Sequence, residues 1–136
     1  MHDCHSTTTT TLAEDAMNYS SQIIDLFDNT DHAGVLQCHG DDVYVEQTGV
    51  AGRELFEISA QIKSDKIMAA RFRTYGPPVL IAAGEWTCRQ LEYQHVQALS
   101  SITEHTLIEA LRLSDLAVHI VALVCSAVKK IEQRVN

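Results

Sequence analysis

The sequence predicts an α+β fold: a three-stranded antiparallel sheet with helices packed on one face. Residues 43–75 contain three strand-like runs joined by short turns. The stretch from Val79 onward repeats its apolar residues at helical spacing. The order is one helix, then strands, then several helices, not the alternation that builds a parallel sheet.

Each element has a local reason. Between Tyr19 and Asp28, Ile23, Ile24 and Phe27 share one helical face. Asn29 to Asp42 is rich in Gly, Asp and Asn and reads as loop. Val43 to Thr48 is the first strand. In Leu55 to Ile62, Phe56, Ile58, Ala60 and Ile62 alternate with Glu57, Ser59 and Gln61, the period of a half-buried strand. After a turn at Ser64-Asp65-Lys66, Ile67 to Tyr75 should set Met68, Ala70 and Phe72 on one face and Arg71 and Arg73 on the other. So short a connection makes these two runs an antiparallel hairpin. Pro77 and Pro78 suit the first turn of a helix over Val79 to Leu91. A short helical piece follows near Val96 to Ile102. Thr103 can cap a helix to Arg112 with Leu107, Ile108 and Leu111 as its stripe. A last helix starts near Ser114 or Asp115. It carries Ile120, Val121, Val124, Val128 and Ile131 on one side, and Lys129, Lys130 and Arg134 near its C-terminus to complement the helix dipole. Residues 1–16 read as a mobile, Thr-rich tail and residues 17–136 as a single domain.

With 136 residues, two full cores are not expected. Apolar residues make up 46% and charged residues 21%, ordinary for a globular chain. The 18 acidic residues against 10 basic ones give a net charge of −8. That sign disfavours nucleic acid and anionic membranes as partners and leaves metal ions and basic protein surfaces open. The most apolar stretch, Leu116 to Val124, is about half the ~20 residues of a membrane span and contains His119. Met1 to Thr11 has no apolar core of a signal peptide. The four cysteines, Cys4, Cys38, Cys88 and Cys125, form no CxxC pair. Reduced thiols in a cytoplasmic protein are therefore the expectation. Ligand-type residues gather in His2-Asp3-Cys4-His5 and in Cys38-His39-Gly40-Asp41-Asp42. The first is read as adventitious at a flexible terminus, the second as a polar turn beside a buried cysteine. No Ser-His-Asp set, phosphate-binding glycine loop or HExxH occurs, and no enzymatic activity is expected.

Two segments carry a resemblance. Tyr19-Ser20-x-x-Ile23-Ile24-Asp25-x-Phe27-x-Asn29 resembles the opening helix of the IscU/NifU-type iron–sulfur cluster scaffolds, and Ala70-Arg71-Phe72-Arg73-Thr74-Tyr75-Gly76 resembles their Arg-Phe strand. The likeness extends over roughly residues 18 to 133. It implies a cluster site built from three cysteines, because iron and sulfide favour soft thiolate ligands. The positions it assigns to them are Gly52, Pro77 and Ile120. Cys125 lies six residues past His119, about 240° round the helix and roughly 9 Å along it, so it cannot stand in for the third. The resemblance retains His119, and matches Glu54 to an aspartate of the first ligand loop. It also puts Leu113-Ser114-Asp115-Leu116-Ala117 where the family carries a Leu-Pro-Pro-Val-Lys chaperone motif.

The resemblance thus implies a non-catalytic protein of iron–sulfur cluster assembly that binds or regulates partners, either a cysteine desulfurase or a true scaffold. No cofactor is expected. One alternative is an iron- or zinc-binding variant using His119 and Glu54, completed by Asp41, Asp42 or His39. Another is an interaction module working outside iron–sulfur chemistry.

Overall fold

In the computed structural model, residues 21–36, 40–50, 52–114 and 117–135 are described. Helix α1 spans Ser21–Asp28, followed by strands β1 (Val43–Gly49), β2 (Leu55–Lys63) and β3 (Lys66–Tyr75). Helix α2 (Pro78–Leu91), a 3₁₀ turn (Val96–Ser101), α3 (Glu104–Leu111) and α4 (Val118–Val135) complete the chain. The strands pair antiparallel in the order β1-β2-β3. The α+β architecture predicted from the sequence is the one observed. The tail expected over residues 1–16, Cys38 and His39 lie outside the described residues.

The pleat decides which side chains reach the core. Phe56, Ile58, Ala60 and Ile62 of β2 are buried, and so are Ala70 and Phe72, which pair with Ala60 and Ile58. One expectation fails here. Met68 is 38% exposed, and Ile67 is buried in its place. Gln61 pairs with Ala69 but Ile62 pairs with Ile67, so Met68 is the extra residue of a β-bulge and the alternation shifts by one. The hairpin turn is Ser64-Asp65, both at positive φ (52° and 62°), the sign combination of a type I′ turn.

Helices α2 and α4 cover this face. Gly84 of α2 meets the ring pair Phe56 and Phe72, stacked with centroids 6.2 Å apart. Pro78 opens α2 as its first residue, where no amide donor is needed. Thr103 caps α3, its Oγ1 accepting from Thr106 N at 3.1 Å. Arg112 ends α3 in the left-handed region. Helix α4 runs from Val118; the Ser114 carbonyl accepts from Ala117 N before it, and Asp115, the other expected start, lies outside the described residues.

The basic end of α4 does more than complement the helix dipole. Arg134 Nη1 donates to the Val45 carbonyl and to Glu46 Oε2, and Lys130 Nζ donates to the Gln47 carbonyl. These carbonyls lie on the free edge of β1, so two cations block a strand edge that would otherwise offer itself to another chain. The outer edge of β3 is also occupied: residues 32–34 pair beside Phe72, and Gln94 and Tyr93 bond to Ile67.

Candidate functional site

Pairing of β2 with β3 sets Leu55 opposite Tyr75, and this brings together the two loops at that end of the sheet. The first loop is a tight turn from β1 into β2. Val50 N donates to the Glu54 carbonyl and Arg53 N to the Val50 carbonyl, both at 3.0 Å. Gly49 has φ of 104°, and a Cβ there would collide with the Glu54 carbonyl oxygen, so the turn needs glycine at that point. The second loop is Tyr75-Gly76-Pro77, running from β3 into α2. A Cβ on Gly76 would stand 3.4 Å from Glu54 Cγ and 2.8 Å from Leu80 Cδ2. The stem of Glu54 therefore packs against the second loop. Thr74 Oγ1 donates to the Leu55 carbonyl at 2.5 Å and holds the two strands together beneath.

Between the loops lies an open cleft of about 580 Å³, lined by Arg53, Glu54, Thr74, Tyr75, Gly76, Pro77 and Ile81. Its rim is partly apolar: Tyr75 is 67% exposed and Val50, on the adjoining turn, 59%. Arg53 is exposed and makes no ion pair among the described residues.

Of the residues singled out in the sequence, Glu54 and Pro77 line this cleft, and Gly52 lies in the turn that forms one wall. His119 and Ile120 do not line it. His119 is exposed, the second residue of α4, while Ile120 is 7% exposed and belongs to the hydrophobic core. The end of β1 is tied to the same helix by Thr48 Oγ1, which donates to the Leu123 carbonyl at 2.7 Å. Asp42 cannot share an ion with Glu54. It precedes β1 while Glu54 follows its far end, and the strand between them is about 20 Å long. Asp42 is engaged where it stands, accepting from Gln61 and facing Lys63.

The donor set decides what the cleft can hold. It offers one carboxylate, and no thiol or imidazole lines it. Among the described residues no three His, Cys, Asp or Glu side chains gather in a way that could hold a metal. A [2Fe–2S] cluster takes four thiolate or imidazole ligands, and these lining residues do not fit it. The two described cysteines lie elsewhere. Cys88 is fully buried in α2; burial, then the fields of Glu85 and Glu92, push its thiol well above the usual range against an opposing pull from Arg71. Cys125 is buried in α4, and burial, with Glu104 adding to it, pushes its thiol up to about 12. Such thiols stay protonated and are poor metal ligands.

A second polar constellation gave no motif in the sequence. Glu85 is fully buried, and His32, Glu92, Arg71 and Arg89 surround it in one connected network. The readable signal was Glu85 itself, a charge within the apolar run from Val79 to Trp86. A carboxylate on a buried helical face requires partners, but the loop histidine that supplies one cannot be located from spacing.

Residues 18–134 match the NifU-like N-terminal domain family. No curated protein matches the sequence. Among solved structures, the fold is similar to a protein of the thermophile Fervidobacterium islandicum AW-1 assigned as an iron–sulfur cluster assembly scaffold for the SUF system. The TM-score is 0.68 at 16% identity, over 84% of this chain and 96% of that one. It is also similar to the N-terminal part of a nitrogen-fixing NifU-like protein from Brucella abortus, with TM-score 0.61 at 10% identity, over 87% and 96% of the two chains. At such identities the structural likeness speaks for the fold alone.

Proposed function

The chain belongs to the NifU-like N-terminal domain family, and from that premise we propose that it serves iron–sulfur cluster assembly by binding a protein partner, without holding a cluster itself. The observation that carries this reading is the make-up of the cleft. Gly52 and Pro77 stand where the family resemblance places two cysteines, and Arg53, Glu54 and Tyr75 are what the loops present instead. A guanidinium repels a metal cation and suits a carboxylate partner. Pro77 and Pro78 stiffen the second loop by narrowing its alternatives, whereas a cluster site has to open for iron and sulfide.

The partner proposed is a cysteine desulfurase or a cysteine-bearing scaffold. An exposed arginine with no ion pair among the described residues, beside an exposed tyrosine, has the make-up of a binding hot spot, a class of residue that typically costs more than ~1–2 kcal/mol on truncation. The net charge of −8 over the whole chain favours encounter with a protein of opposite overall charge. The test is calorimetric titration with each partner. Binding is expected, and Arg53→Glu should weaken it at least about tenfold, equivalent to ~1.4 kcal/mol. Absence of binding by either partner at micromolar protein, or an affinity indifferent to Arg53→Glu and Tyr75→Ser together, would overturn the proposal. Anaerobic incubation with Fe²⁺ and sulfide should leave the desalted protein colourless. Iron retained with a thiolate-to-iron absorption band would show that the chain does hold a cluster.

A further inference from the structure

Farther along α2 than the cleft residue Ile81, His32 stands between two carboxylates. Its Nδ1 lies 2.7 Å from Glu85 Oε2 and its Nε2 lies 2.9 Å from Glu92 Oε1, with the ring 15% exposed. An ionised carboxylate only accepts hydrogen bonds, so each contact needs a proton on the nitrogen facing it. Both ring nitrogens carry one only in the imidazolium form. The carboxylates have further donors. Glu85 accepts from His32 N at 2.9 Å and from Arg89 Nε at 2.7 Å; Glu92 Oε2 accepts from Ala70 N at 3.0 Å and from Arg71 at 2.7 Å. Arg89 also donates to the Asn29 carbonyl at 2.7 Å, at the end of α1.

The same loop is bonded to the sheet. Phe72 N donates to the His32 carbonyl at 2.9 Å, and Gly34 N donates to the Phe72 carbonyl at 2.7 Å. Ala33 forms a parallel bridge with Phe72. Residues 32–34 therefore act as a short added strand on the outer edge of β3, and the histidine that starts it is clamped by α2.

We propose that His32 is a protonation latch. Its imidazolium form pins residues 32–34 to the edge of β3, and loss of one ring proton releases them and uncovers the Phe72 N–H and C=O. A neutral ring keeps a single proton. Whichever nitrogen loses it then turns a lone pair toward a carboxylate oxygen less than 3 Å away, and a charge-assisted hydrogen bond becomes a repulsion. The groups that face the ring are Glu85 and Glu92 from α2 and its cap. Arg89 from α2 and Arg71 from β3 hold those carboxylates, and the neighbouring Cys88 thiol stays neutral. Asp31, next in the loop, is exposed. The edge that opens belongs to the strand that runs on into the cleft, because Tyr75 follows Phe72 on β3.

The test is amide hydrogen exchange followed by NMR on the full chain across the whole pH range in which the protein stays folded. Rates are corrected for intrinsic exchange, and ring ¹⁵N shifts are recorded alongside. The Gly34 and Phe72 amides should lose protection as pH rises, by at most about tenfold per pH unit for one proton, in step with the His32 ring signal. Amides of Ile58 and Ala60 in the central strand should not change. Glu92→Gln, whose amide can donate to a neutral ring, should flatten the dependence. His32→Gln should remove it and leave both amides weakly protected. A wild-type profile flat in pH, a ring already neutral at the acid end, or Gly34 and Phe72 exchanging only together with β2 would each overturn the proposal. Should His32→Gln not fold, the wild-type profile and Glu92→Gln decide the matter.

Discussion

Replacing Gly84 by alanine sets two well-characterised effects against each other. The residue lies inside α2, where alanine is favoured over glycine by about 1 kcal/mol. Propensity alone therefore predicts a stabilised protein. The packing predicts the reverse. A Cβ at this position would stand 2.7 Å from Phe72 Cδ2, 2.9 Å from Phe72 Cγ and 2.9 Å from Phe56 Cε1, where carbon atoms prefer about 3.5–4.0 Å. Neither ring can retreat, because both are buried and stacked on each other. Relief requires α2 to lift from the sheet, and overpacking of this kind costs about 1–3 kcal/mol. Three short contacts place it in the upper part of that range. The net expectation for Gly84→Ala is a loss of about 1–2 kcal/mol, or roughly 3–8 °C in Tm. Urea unfolding followed by Trp86 fluorescence measures it. In a Phe72→Leu background the same substitution should be nearly neutral or stabilising, because the closest ring is gone. A rise in stability for Gly84→Ala alone would refute the reasoning and show that the helix and sheet have slack between them.

Other expectations follow from the titrating groups. At pH 8 a thiol reagent read out by peptide mass spectrometry should leave Cys88 and Cys125 unmodified in the native protein and label both in urea, since each thiol is buried with its pKa raised; native labelling of Cys125 at a rate near that of a free cysteine would count against its burial. A raised folded value means that the Cys125 contribution to stability is intact below the unfolded thiol value and is lost as pH climbs towards about 12. Cys125→Ala should accordingly lessen alkaline unfolding. Glu92 behaves oppositely. Burial by itself raises its carboxyl, but the Ala70 N–H, His32 and Arg71 together bring it below the usual value. Its contribution is present above the unfolded carboxylate value and is lost as pH falls through the folded one. Glu92→Gln should therefore lower stability at neutral pH and make acid unfolding less steep; an unchanged acid limb would be inconsistent with that network.

Much of the fold was legible because its signals are local. The alternation in Leu55 to Ile62, the prolines before α2 and Thr103 before α3 each fix a short stretch of backbone by sterics or by one hydrogen bond. The bulge at Met68 was not legible. It depends on how the last residues of β2 align with the first of β3, and either alignment keeps an apolar side chain inside. The cleft was legible in part. Glu54 and Pro77 meet because strand register carries their loops to the same end of the sheet. The latch around His32 stayed hidden because its partners Glu85 and Glu92 are 53 and 60 residues away. Contacts at that range follow from tertiary packing and leave no periodic trace.

The three positions where the resemblance implies cysteines are not equivalent once folded. Gly52 is exposed at φ of 86°, and nothing lies within 4 Å of where its Cβ would be. No packing depends on it, yet any L-residue there takes on a left-handed backbone cost of about 1–2 kcal/mol. Pro77 is half-buried at the N-cap of α2, where a fixed φ of −69° fits the turn. Both can vary without disturbing the Phe56–Phe72–Gly84 contact on which the sheet and α2 meet. Ile120 differs, because its side chain is part of the core. Burying it is worth about 1.5–3 kcal/mol relative to exposure, and a thiolate in its place would have to be desolvated. The first two implied positions thus lie outside the core of the fold, while the third lies within it. Building a cluster site at these three positions would require more than three sulfur atoms: the start of α4 would have to give up an apolar anchor.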